Sequence, residues 1–269
     1  MAQDRSEKSR IAIIGSGHIA CAFAQGLVVS GIHARELIVS GPSAVSNRAL
    51  KALGVRRVRD SHDAVLRARW IFIAVKPAVV PVVLKELKRD LKDRVVISFA
   101  AGIRLRALQR LVPEARVGRV IPNIPISVQQ GVCGYFRGTL KKKEDTELSQ
   151  LLSRVGSVIP LKAERDLDAI TLLSGCGPGI VAFLIEMFAQ NAKKIGLSAT
   201  AADALAYHTF AGTLHALSQS KLSPEELMRS VATQGGVTES ILAKLRQGGF
   251  TKSFTAALKV GYAQIKKLG

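Results

Sequence analysis

The stretch Ile11-Ala12-Ile13-Ile14-Gly15-Ser16-Gly17-His18-Ile19-Ala20 decides how the chain is read. Four apolar residues in a row, three of them β-branched, suit a short strand buried on both faces. The strand runs straight into G-x-G-x-x-A. Gly15 makes the tight turn and Gly17 leaves room for a pyrophosphate to approach the backbone. The small Ala20 lets the following helix pack closely on the strand. The open N-terminus of that helix offers N–H groups and positive dipole to an anion. A strand before and a helix after are the context that gives this glycine pattern meaning. Gly15, Ser16, Gly17, His18 and Ile19 are therefore expected to line a dinucleotide, with His18 beside the pyrophosphate rather than acting as an acid.

Outward from this motif, short apolar runs alternate with helical periodicity. Strands are expected at Ile11–Ile14, Glu36–Val39, Trp70–Ala74, Val95–Ser98 and Arg116–Ile121, with a last short one at Val132–Phe136. Apolar residues at helical spacing lie between them, at Val79–Leu91 and Leu105–Leu111. Such alternation predicts βαβ units and a parallel sheet. After about Arg165 strand-like runs vanish. Helices are expected at Asp166–Leu173, Gly179–Ile195, Ala199–Gln219, Pro224–Ala232, Thr238–Gln247 and Thr251–Leu268. Ser198 and Ser223 are natural N-caps, and Pro224 suits a first helical turn. The fold class is α/β: an N-terminal Rossmann-type parallel-sheet domain over 1–160, then an all-helical dimerisation domain over 161–269. Gly179–Ile195 is apolar on most of its circumference, which normally means burial. A domain this small needs a partner subunit to bury it, so a homodimer, or a larger homo-oligomer built from dimers, is expected.

Composition narrows the function. Ten polar residues open the chain where a secretory signal would need an apolar run, and no apolar run approaches the ~18 residues of a membrane span. Cys21, Cys133 and Cys176 are odd in number and lack metal-ligand or C-x-x-C spacing, so free thiols, a cytoplasmic setting and no metal are expected. The formal net charge is +19. Lys and Arg are scattered, aromatics are sparse and no nucleic-acid-binding motif is present, so no nucleic acid and no membrane partner is expected. Surplus positive potential instead suits anionic small molecules. The second strand ends Val39-Ser40-Gly41-Pro42-Ser43, without the acidic residue that would favour NAD. Ser40 and Ser43 are placed to hydrogen-bond a 2′-phosphate, and Arg48 or the Arg56-Arg57 pair to neutralise it. NADPH is the expected cofactor, with NADH the alternative.

Five further stretches resemble the pyrroline-5-carboxylate reductase family, in the family's order and over about residues 11–268. They are Ala74-Val75-Lys76-Pro77; Ser98-Phe99-Ala100-Ala101-Gly102-Ile103; Arg119-Val120-Ile121-Pro122-Asn123-Ile124-Pro125 followed by Gly131; Asp168-Ala169-Ile170-Thr171-Leu172-Leu173-Ser174-Gly175-Cys176-Gly177-Pro178; and Gln234-Gly235-Gly236-Val237-Thr238. The resemblance implies reduction of the cyclic imine 1-pyrroline-5-carboxylate to L-proline, the last step of proline biosynthesis. It implies that Ala74, Val75, Lys76, Pro77, Ala100, Ala101, Gly102 and Asn123 line the cofactor. Gly235, Gly236, Val237, Thr238, Gly175 and Cys176 would bind substrate, the glycine loop offering helix-terminal N–H groups to its carboxylate. The Thr238 hydroxyl would be catalytic, hydrogen-bonding the ring nitrogen and assisting its protonation. A helix N-cap is the plainer role for Thr238. Lys76, held extended before Pro77, is read as a cofactor-side residue rather than a general acid.

The chain departs from the family pattern in four places. Ile124 replaces a threonine, Cys176 a serine and Gln234 a proline, and the second strand lacks the Asn-Arg often found at its end. Loss of hydroxyls removes hydrogen-bond partners near cofactor and substrate. These changes leave two alternatives open: a reductase of a related cyclic imine acid, and a catalytically weak NADP-binding paralogue.

Overall fold

The computed structural model describes residues 11–42, 48 and 50–268. Packing divides the chain into two compact units. One reaches to Pro178 and takes up the chain again from Tyr262; the other is Gly179–Gly261. The change of composition near residue 160 therefore precedes the break in packing. The reason is that the first helical turns after it still rest on the sheet.

The first unit is built on an eight-stranded sheet. Its strands are β1 (Ile11–Ile14), β2 (Leu37–Ser40), β3 (Arg56–Val58), β4 (Trp70–Ile73), β5 (Val95–Ser98), β6 (Arg116–Pro122), β7 (Gly131–Phe136) and β8 (Gly156–Pro160), in the order β3-β2-β1-β4-β5-β6-β7-β8. From β3 to β6 every pair is parallel, while β7 runs antiparallel to β6 and β8 parallel to β7. The sheet is thus mixed, not wholly parallel. The turn from Ile124 to Gln130 is too short for a crossover, so β7 must return antiparallel. The helices of this unit are α1 (His18–Val29), α2 (Ser61–Leu66), α3 (Val80–Glu86), α4 (Leu105–Leu111) and α5 (Lys142–Ser153).

Residues alternate between the two faces of the sheet. Ile11, Ile13, Phe72, Val95 and Ile97 enter one core; Ala12, Ile14, Ile71, Ile73 and Val96 enter the other. That is the period of two expected of strands covered on both sides. In the first core Phe23 of α1 packs at a tilt against Phe72 and meets Phe99 edge-on, with ring centroids 4.8 and 5.1 Å apart. This wedge sets α1 against the ends of β4 and β5, where the cofactor motifs lie.

β3 and β8 were not legible as strands. Both are edges: Arg56-Arg57-Val58 is polar, and Gly156–Pro160 is mostly exposed. Neither is pressed to be apolar. The expected helix at 166–173 is broken into a 3-10 turn (Glu164–Asp166), an α turn (Leu167–Ile170) and a π turn (Thr171–Gly175), which lead into α6 (Gly177–Lys194). The Cys176 N–H donates to the Thr171 carbonyl at 3.0 Å, the i→i−5 bond of a π turn. By length and composition Glu164–Lys194 is long and apolar enough to cross a membrane, which corrects the expectation that nothing reaches that threshold. The glycines and proline at 175–178 hide the run from inspection without ending it.

The second unit holds the rest of α6, then α7 (Ala199–Gln219), α8 (Pro224–Val231), α9 (Val237–Gln247) and most of α10 (Phe250–Lys266). The Ser198 hydroxyl accepts from the Ala201 N–H. Ser223 and Glu226 form a reciprocal capping box. The unit's buried side chains are alanines, Ala189, Ala192, Ala202 and Ala206, whereas Phe183 and Ile195 are 64% and 83% exposed.

Candidate cofactor and substrate sites

Order reverses between β1 and β4, and ligands of such sheets bind outside the strand ends at that point. Gly15 sits there at φ +117°, and a Cβ would come 2.5 Å from the Ala74 carbonyl oxygen. Only glycine fits this approach. The Gly15 N–H donates to the Ser40 carbonyl and the Ala74 N–H to the Ile14 carbonyl, each at 2.7 Å, so the ends of β1, β2 and β4 are tied together. Gly17 is the N-cap of α1; no side chain caps the helix, its first turn has no acidic residue, and nothing lies within 4 Å of a Cβ at Gly17. Ser16 is buried, Ile19 half-buried, and Gly17 and His18 exposed. The result is an open helix terminus with free space over Gly17, which fits a pyrophosphate.

At the end of β2 the expected partners separate. Ser43 lies outside the described residues. Ser40 is buried, and its hydroxyl is 2.6 Å from that of Ser61 at the start of α2. That contact braces β2 against α2. Arg48 and Arg56 are exposed. Arg57, opposite Val39 in the β2–β3 register, folds back so that its guanidinium donates to the Gly41 carbonyl, leaving a buried Nε without a partner among the described residues. Of the basic residues considered, Arg57 is the one whose guanidinium bonds the end of β2.

The next strand ends form two turns. Ala74 is buried, Val75 and Pro77 are half-buried, and Lys76 is exposed with the extended backbone (φ −58°, ψ 145°) expected before proline. After β5, the Ser98 hydroxyl accepts from the Ala100 N–H at 3.2 Å. Ala100 and Gly102 are buried and Ala101 half-buried. Gly102, at φ +80°, is covered by Leu268: a Cβ on it would come 2.7 Å from the Leu268 carbonyl carbon. Its Cβ side is closed by protein. Asn123 is bonded at both ends of its amide. Its Oδ1 accepts from the Val132 N–H at 2.8 Å and its Nδ2 donates to the Ser174 carbonyl at 3.3 Å. It clamps the start of β7 to the π turn. Gly175 and Cys176, just beyond that clamp, are exposed, and so to a lesser degree is Ile124.

A buried charge network went unread in the sequence. Arg119, 1% exposed, donates to Glu164 at 2.6 Å and to the Ala100 carbonyl at 3.4 Å. Burial pulls its guanidinium below the ordinary value, against the opposing pull of Glu164. Asp168, also buried, accepts from Arg104 at 2.9 Å and Lys266 at 2.7 Å. Burial alone would raise this carboxyl, but the hydrogen bonds from Lys266 and Arg104 hold it below the usual range. An arginine inside the apolar run of β6 was the available signal, since lone charges are not buried unpaired.

In the second unit Gly236 is the N-cap of α9, so Thr238 is the second helical residue and not the cap. Thr238 is half-buried and Val237 is 78% exposed. The Gly235 N–H donates to Glu239 at 2.7 Å and the Gly236 N–H to the Thr233 carbonyl at 2.9 Å. Both glycine N–H groups thus have partners in the loop and the first turn of α9. The first-turn N–H groups of Val237 and Thr238 remain as the helix-terminal donors.

Comparison with known proteins agrees with these features. Residues 164–268 match the family model for pyrroline-5-carboxylate reductase dimerisation, and residues 10–102 match that for NADP oxidoreductase, coenzyme F420-dependent. The chain is 34% identical over 272 residues to pyrroline-5-carboxylate reductase 3 of Rattus norvegicus, covering 100% of this chain and 99% of that protein. It is 33% identical to pyrroline-5-carboxylate reductase 2 of Homo sapiens, over 85% of this chain and 74% of that one. Among solved structures, a pyrroline-5-carboxylate reductase from Coxiella burnetii superposes with a TM-score of 0.86 at 28% identity, covering 97% and 99% of the two chains. The Plasmodium falciparum enzyme with NADP bound shares the fold with a TM-score of 0.87 at 24% identity, covering 98% and 99%. With an open dinucleotide turn at its N-terminus, a dimerisation domain at its C-terminus and full-length likeness between them, the chain belongs to the pyrroline-5-carboxylate reductase family.

Proposed function

We propose that this chain reduces 1-pyrroline-5-carboxylate to L-proline with NADPH, in the cytoplasm and as a homodimer or an oligomer of dimers. The observation that carries the reading is the uncapped helix terminus beyond Gly15 at the switch point of the sheet, in a chain with full-length likeness to these reductases. Bound NADPH supplies a hydride to the imine carbon. The first turn of α1 holds the pyrophosphate, with Gly17 clearing the approach and His18 beside it. Arg57 offers positive charge at the end of β2, where a 2′-phosphate would lie and where no acidic side chain of β2 opposes it. Ala74, Val75, Lys76, Pro77, Ala100 and Ala101 form the strand-end turns for the nicotinamide. The N–H groups of Val237 and Thr238 bind the substrate carboxylate, Gly175 and Cys176 contribute to substrate binding, and the Thr238 hydroxyl hydrogen-bonds the ring nitrogen as it gains its proton.

Homodimerisation is supported by the uncovered apolar helices. Leu184, Met187, Phe188, Ile195, Leu205 and Phe250 line an open groove of about 480 Å³ in the second unit, with almost no polar surface. Monomers rarely leave such patches bare.

The test is NADPH oxidation with 1-pyrroline-5-carboxylate, wild type beside Thr238→Ala. Brisk turnover is expected, falling about 10²–10⁴-fold in the variant if the hydroxyl assists proton transfer. Turnover only of a six-membered imine acid would move the substrate. NADPH binding without turnover of any imine would replace the reading with that of a binding protein.

A further inference from the structure

The turn from Ala100 to Arg104 leaves the sheet after β5 and enters α4, so no strand ladder fixes it. It is held from two sides within the first unit. From the first, Arg119 donates to the Ala100 carbonyl, and Glu164 accepts both from Arg119 and from the Leu105 N–H at the start of α4. From the second, the end of the chain closes the turn. The Leu268 backbone and side chain occupy the space beside Gly102, and Lys266 reaches the same Asp168 oxygen that Arg104 uses. Arg104 and Lys266 are like charges held together only by the buried carboxylate between them. The Lys266 ammonium also lies 5.0 Å from the centre of the Tyr262 ring, which limits where it can swing.

We infer that Lys266 and Leu268 are positioning residues for hydride transfer, acting through the Ala100–Arg104 turn against which the nicotinamide rests. The inference depends on the proposed placement of the nicotinamide at that turn. Neither residue touches the reacting atoms. Their removal frees the turn and misplaces the nicotinamide, while the pyrophosphate site at α1 and the Arg57 end of β2 are separate elements and stay intact.

Full-length Lys266→Met, Leu268→Gly and the conservative Lys266→Arg test this. In Lys266→Met and Leu268→Gly, kcat is expected to fall about tenfold, since small misplacements of reactants carry large rate penalties. The primary isotope effect from NADPH deuterated at the transferred position should rise as hydride transfer becomes slower than release. Affinity for 2′-phospho-ADP-ribose, which lacks the nicotinamide, should stay within about twofold, and Lys266→Arg should restore the wild-type values. A kcat and isotope effect equal to wild type in both variants would overturn the inference. So would a parallel loss of fragment affinity and melting temperature, which marks a general loosening. The fluorescence of bound NADPH provides a readout that needs no turnover. If wild type turns over no imine, the functional reading fails; the positioning role then stands if that fluorescence changes in the variants and falls if it does not.

Discussion

Arg57 shows how a single residue takes its role from a neighbour that sequence distance conceals. It is sixteen positions from Gly41, yet β-sheet register puts it beside the end of β2. Charge-assisted hydrogen bonds contribute about 1.5–3 kcal/mol. Arg57→Ala is therefore expected to raise the KM for NADPH about tenfold or more and to leave that for NADH nearly unchanged; equal effects on both cofactors would remove Arg57 from phosphate recognition. His62 is a second case. Its ring bonds Asp90, and that hydrogen bond raises its pKa against opposing desolvation, with further help from the charges of Asp90, Asp60 and Glu86. A raised folded-state value means stability that is fully present below the unfolded pKa of about 6.5 and lost as pH climbs through the folded one. His62→Gln should accordingly lower the melting temperature most at pH ~5.5, with the effect shrinking as the pH climbs through the raised folded-state value. Its exposure keeps the effect small.

At the scale of elements, local chemistry and position in the sheet divide the labour. Helix starts were legible at Ser198 and Ser223, where a side chain makes the cap. Ser223 accepts from Glu226 and Glu226 from Ser223, and Pro224 occupies the first turn. Ser223→Ala should cost about 1 kcal/mol, read as a lower denaturant midpoint with an unchanged slope. Central strands were legible too, because β1, β4 and β5 are buried on both sides and must be apolar throughout. The edges β3 and β8 carry no such obligation, so their residues read as loop. The π turn at Thr171–Gly175 was equally hidden, since one extra residue in a helical turn leaves the apolar spacing almost unchanged.

The molecule as a whole is governed by what the second unit leaves uncovered. Its fully buried side chains are alanines, which allow close helix approach but bury little area, and many of its large side chains face outward. At about 25 cal/mol per Å² of apolar surface, stability left unrealised in one chain is recovered when a second copy covers those faces. Unfolding of such an oligomer depends on protein concentration. The melting temperature should rise with concentration in the micromolar range, and light scattering should give at least twice the mass of one chain. A monomer with a concentration-independent melting temperature would remove the dimer from the proposal.

The sequence by itself determined the dinucleotide turn, the central strands, the helical second half and the family. Each follows from local rules: glycine where backbone must approach backbone, alternating faces in a covered strand, a cap before a helix. Tertiary structure decided which protein partners the motif residues meet. Ser40 is spent on Ser61, Asn123 on Val132 and Ser174, Gly102 on Leu268, and the Gly235 and Gly236 N–H groups on Glu239 and Thr233. A buried polar group must be satisfied by whatever the fold brings to it. Apart from those of the glycine loop, the partners stand from nine to 166 residues away, beyond the reach of a local pattern.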